Sequence, residues 1–131
     1  MKILFDPRCA VVIYIPVFIA CFLIQFFFDE LFAEYSNWSW SSGWQTEIAL
    51  HALVYVLLFF IFLIKLKGNE YLIVMAVTFM SVLMGTNHFL SILQQDLRLS
   101  NLIGFLANFT SIVYGSIVLH LYYKGRTNKA V

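Results

Sequence analysis

Four near-continuous apolar runs, each long enough to cross a bilayer, limit what this chain can fold into: Ala10 to Phe28, Ile48 to Ile64, Tyr71 to Leu93 and Leu102 to Tyr123. A hydrocarbon core of about 30 Å takes roughly 17–25 residues of helix. Backbone groups find no water there, so a helix, which bonds its own, is the economical spanning form. A transmembrane β-barrel would alternate over segments of about ten residues, and these runs do not alternate. The links Lys65–Glu70 and Gln94–Asn101 are short and force neighbouring spans to run antiparallel. With 62% hydrophobic and 11% charged residues, the chain exceeds what a soluble domain of its length could hide. The fold predicted is all-α: one antiparallel four-helix transmembrane bundle over residues 1–131.

Basic residues orient it. Lys2, Arg8, Lys65, Lys67, Lys124, Arg126 and Lys129 fall on the side of the two termini and the second-to-third link, while Arg98 stands alone opposite. Cationic loops stay cytoplasmic, so both termini are expected there, with Asp29, Glu30, Glu34, Glu47 and Asp96 on the far side. A net charge of +1 gives no clustered cations for a nucleic acid. Cys9 and Cys21 would lie roughly 18 Å apart on one helix, beyond disulfide reach, which leaves them packing or membrane-edge roles. The first run is too long for a signal-peptide core and lacks a clean cleavage site, so it is expected to stay as a span. Trp38, Trp40 and Trp44 place the segment from Glu34 to Trp44 on the outer membrane face, where such rings anchor. The sequon at Asn37 matters only in a secretory pathway.

The intramembrane polar residues share one depth. Gln25 and Asp29 are four apart on the first span, and Glu47, His51 and Tyr55 repeat at four on the second. Ser81, Gly85, His88 and Gln95 form a stripe on the third, with Asn87 beside it. Asn101, Gly104, Asn108, Ser111 and Gly115 make a heptad seam on the fourth, off which Val118 is expected to lie. Such a seam lets helices approach closely and hydrogen-bond. Gln25, His51, His88 and Asn108 each sit roughly 5–9 Å below the outer boundary. The inner halves of the first three spans are almost wholly apolar. His120, near the cytoplasmic end, is an ordinary interfacial histidine.

Buried polar groups in lipid are costly unless partnered, and an ionisable one marks a functional site by default. The bland alternative is interhelical glue, at about 0.6 kcal/mol per contact, and it is the simpler account of the fourth-helix seam. Three chemistries could use the outer cluster. Glu47, His51 and His88 could ligate a metal, though no H-E-x-x-H or ligand doublet occurs. His51 and His88 could hold a haem, though no spacing motif supports it. A polar pocket open to the outer leaflet, taking a lipid headgroup or amphiphile, needs no motif.

With those residues in view, the chain resembles VanZ-like proteins, small polytopic membrane proteins named for a teicoplanin-resistance determinant. Glu47-Ile-Ala-Leu-His51-Ala-Leu-Val-Tyr55 is similar to that family's second span, and Arg98, Leu106-Ala107-Asn108 and Gly115 to its last. The family's Asp before that Asn is Gly104 here, and its glycine shortly after is Ser111. The acidic residue and Gln usual in the third span have only Asn87 and His88 near their place. The resemblance implies a cell-envelope protein of a bacterial inner (plasma) membrane that affects how glycopeptide antibiotics or envelope lipids behave outside. Two functions are therefore carried forward. In the first, Glu47, His51, Asn87, His88 and Asn108 contact a headgroup or amphiphile, with Arg98 at the rim, and Gly104, Ser111 and Gly115 pack the helices. In the second, the chain is an accessory subunit of a larger membrane assembly, one that could contact a haem or pigment. The exposed ends are too short for a soluble catalytic domain.

Overall fold

A computed structural model describes residues 3–28, 30, 42–94, 97 and 99–127. A short 3-10 helix, Ile3–Phe5, leads into α1 (Pro7–Phe27), followed by α2 (Ser42–Ile64), α3 (Glu70–Gln94) and α4 (Leu99–Thr127). All four long helices have the length and apolarity to cross a membrane; among the described residues every regular element is a helix, and the chain is membrane-integral. Each helix outruns its apolar run. The largest extension at a single end is at the start of α2, which begins at Ser42, so Trp44, expected in the surface segment, falls in the first turn of that helix. The remainder of that segment, Trp38, Trp40 and the sequon included, lies outside the described residues, as do Asp29, Gln95, Asp96 and Arg98.

Local chemistry sets the helix ends. Asp6 caps α1 in extended conformation, its carboxylate accepting from the Arg8 amide at 2.8 Å. Pro7 follows at the first helical position, where its missing N–H is not needed. Between α2 and α3 the chain turns through Gly68, whose φ of 88° suits a residue without Cβ. The Gly68 amide then donates to Glu70 Oε2 at 2.7 Å, which keeps this buried carboxylate partnered. Lys65 and Lys67 stay exposed on the turn.

α1 and α2 pack along one seam, and α3 and α4 along another. Phe18 meets Phe59 edge-on at 5.1 Å and Tyr55 at 5.2 Å, while Tyr14 meets Phe59 at 6.4 Å. On the other pair Tyr71 stacks on Tyr122 at 4.9 Å, and Phe89 meets Phe105 at 5.6 Å. Ala10, Val11 and Tyr14 of α1, Phe59 and Leu63 of α2, Ile73, Val74 and Val77 of α3, and Val118 of α4 form one buried apolar cluster that joins the pairs. Val118 was expected off the α4 seam. It lies three residues beyond Gly115, continues that seam, and is fully buried. A clasp closes the cluster from below: Tyr114 Oη donates to the Leu4 carbonyl at 2.7 Å, and the Phe5 ring lies 6.0 Å from that of Tyr114.

Candidate functional site

The apolar cluster occupies the start of α1 and α3 and the end of α2 and α4. The buried polar side chains Gln25, Gln45 and Asn101 lie on the opposite ends of α1, α2 and α4. Among the described residues, several of their atoms have no partner: Gln25 Oε1, Gln45 Oε1, Asn101 Nδ2 and, beside the last, Ser100 Oγ. Gln25 is 7% exposed, Gln45 5% and Asn101 3%, so no bulk solvent compensates them. An unpartnered buried amide or hydroxyl costs about 1–3 kcal/mol. Tyr14 Oη is a fifth such atom, but it sits within the apolar cluster.

His88 reaches this end from α3. Its Nδ1 lies 3.3 Å from Asn101 Oδ1, and because an amide oxygen only accepts, Nδ1 donates. The ring sits against α4 where Gly104 leaves space. A Cβ there would come within 2.5 Å of the His88 ring atoms Cε1 and Nε2. One helical turn deeper, a Cβ on Gly85 would meet Asn108 Cβ at 3.2 Å. The Asn108 amide turns back to its own helix and donates to the Gly104 carbonyl at 2.7 Å. Deeper again, Gly115 is the junction of three helices: its Cβ would fall on Thr78 Oγ1 and lie 3.4 Å from Tyr14 Oη. These glycines let α3 and α4 pack closely, as small residues do inside membranes. Ser111 is half-buried between them.

The other candidates stand apart from His88. Glu47 and His51 share an exposed side of α2, and His51 Nδ1 donates to the Glu47 carbonyl at 2.7 Å, one turn back on its own helix. Asn87 is exposed, with its carbonyl accepting from Ser91 Oγ at 3.0 Å. Among the described residues, no three of His, Cys, Asp and Glu gather closely enough to hold a metal. By that measure Glu47, His51 and His88 are not gathered as a set of metal ligands. The polar side chains placed at this end are Gln25 and Gln45 on the α1–α2 pair and Ser100 and Asn101, with His88, on the α3–α4 pair.

Gln45 was not anticipated, because it precedes the apolar run of α2. Its register was nonetheless readable. Gln45, Ala49, Ala52, Val56 and Phe59 follow at four, three, four and three, and all five are buried. A polar residue that opens a heptad of small side chains belongs to the seam, not to the loop.

α3 and α4 also leave a groove of about 160 Å³ between them, walled by Val82, Thr86 and Phe89 on one side and Phe105 and Phe109 on the other. Gly85 lines it too, its missing side chain opening the gap. Comparison with family models, with curated proteins and with solved structures returns no match to this chain, so its geometry alone carries the functional argument.

Proposed function

We propose that this protein is an antiparallel four-helix bundle whose polar end faces outward and binds a lipid headgroup or amphiphile. Its termini are then cytoplasmic, in a bacterial inner (plasma) membrane. The contact series supports the antiparallel reading: Tyr71 with Tyr122, Gly85 with Asn108 and His88 with Gly104 run in opposite senses along α3 and α4. The excess of Lys and Arg at the apolar end supports the orientation. One observation carries the binding role, the four unpartnered polar atoms buried at one end. In hydrocarbon such groups are costly, and each has its own bonding requirement. Two glutamine oxygens require donors, the Asn101 amide requires an acceptor, and the Ser100 hydroxyl can do either. A headgroup bearing hydroxyl or ammonium donors beside phosphate or ester oxygens satisfies all four. The VanZ-like resemblance points the same way, with Arg98 as the rim cation for an anionic group.

The test is purification in mild detergent followed by mass spectrometry of retained lipid. One lipid per chain should survive washing, and Gln45→Leu combined with Asn101→Leu should abolish its retention while helix content is kept. Equal retention by the double variant would overturn the reading. A second function draws on the other outer residues. Glu47 and His51 face outward on α2 beside exposed Leu50 and Val54, where a partner subunit would satisfy an ionisable pair that lipid cannot. Stoichiometric co-purification of a larger assembly, lost with His51→Phe, would favour it.

A further inference from the structure

We infer that the groove between α3 and α4 holds one acyl chain of a bilayer phospholipid whose ester or phosphate oxygen accepts from the Asn101 amide. This rests on the headgroup site proposed above, and it adds where the tail goes and which lipid class fits.

Depth is the first argument. Asn101 is two residues into α4, roughly 3 Å below its outer end, the level of phospholipid ester groups. Phe105 to Ile112, which bound the groove on α4, lie roughly 9–20 Å below that end, the level of the tail. The second argument is continuity. Asn101, Phe105 and Phe109 recur at four-residue intervals, one stripe of α4, and Phe89 directly follows His88 on α3. A buried amide with an unpartnered nitrogen therefore heads a slot walled by three phenylalanines. A ligand with a polar acceptor joined to a flexible hydrocarbon chain matches that order. A partner helix would supply the apolar part, but it would reach the Asn101 amide only with a polar side chain or a free carbonyl lone pair placed at that level.

The experiment uses the full chain in vesicles of phosphatidylethanolamine and phosphatidylglycerol. It compares two photoreactive phospholipids, one with a diazirine midway along an acyl chain and one with it on the headgroup, and maps the crosslinked peptides. The acyl probe should label residues 82–89 and 105–109 about threefold or more above the exposed Leu53–Phe60 face of α2, the factor expected from one hydrogen bond in a membrane. Thr86→Trp, which fills the groove from an exposed position, should return that labelling to background. Asn101→Leu should lower it. Even acyl labelling of all lipid-facing surfaces would overturn the inference, as would labelling untouched by Asn101→Leu. The headgroup probe separates the two readings. Labelling near His88 and Asn101 with even acyl labelling sinks the groove and leaves the headgroup site, and loss of both sinks both. Should Thr86→Trp misfold, the distribution on the unaltered chain still decides.

Discussion

Gly115→Ala tests the packing on which the polar end depends. The new Cβ would land on Thr78 Oγ1, 3.2 Å from Thr78 Cβ and 3.4 Å from Tyr14 Oη. Thr78 cannot simply rotate away, because its hydroxyl donates to the Val74 carbonyl at 2.7 Å and a β-branched side chain has few rotamers in a helix. Overpacking of this kind costs about 1–3 kcal/mol, offset by up to about 1 kcal/mol from the higher helix propensity of alanine. The expected net loss is about 1–2 kcal/mol. Thr78→Ala removes the obstructing oxygen and gives up only a bond to its own helix, so alone it should change stability by about 0.5 kcal/mol or less. The double variant should recover part of the loss, giving a coupling of about 1 kcal/mol, well above the roughly 0.3–0.5 kcal/mol scatter of independent sites. Reversible unfolding in mixed detergent, followed by circular dichroism, measures all four corners of the cycle. Additive effects would refute the three-helix junction at Gly115.

Val118→Leu should destabilise by about 1–3 kcal/mol through overpacking, and unchanged thermal stability in detergent would contradict its burial. Gln45→Leu should raise stability in lipid-free detergent by about 1–3 kcal/mol, since it replaces an unpartnered buried amide with an apolar group. The same variant should lose bound lipid, and reduced stability with lipid retained would refute the assignment. In intact cells a cysteine at Ser41 should react with an impermeant thiol reagent and one at Lys67 should not, and the reverse pattern would invert the topology. His51→Phe should leave the fold intact, because the side chain is exposed, with His120→Phe as the control. Any loss of helix content would show that His51 packs inside the bundle.

Helix number and the polar–apolar division along the bundle were legible because both follow from one property, the cost of polar groups in hydrocarbon. Glycine placement on α4 was legible for the same reason: Gly104, Asn108 and Gly115 recur at heptad spacing. Two features were not. Depth alone could not say which face of α2 turns inward. His51 is exposed and bonded to its own helix, while Gln45, which precedes the apolar run and was not anticipated, is buried. The faces of α2 are both apolar, and hydrophobic periodicity loses its power to orient a helix when lipid and core are equally oily. The distinction lay instead in side-chain size, since the buried seam carries Ala49 and Ala52. Val118 was misassigned for a simpler reason, as the seam was ended one step too soon.

The clasp between Tyr114 and Leu4 joins positions 110 residues apart in the chain. Synthesis runs from the N-terminus, so the Leu4 carbonyl waits for its donor until the last helix leaves the ribosome and inserts. Until then the opening turn lacks both that bond and the Phe5–Tyr114 ring contact. The finished bundle therefore ties the turn before α1 to α4, a closure available only to a chain translated through Tyr114. A product truncated before that residue would keep three membrane-crossing helices and lack the tie.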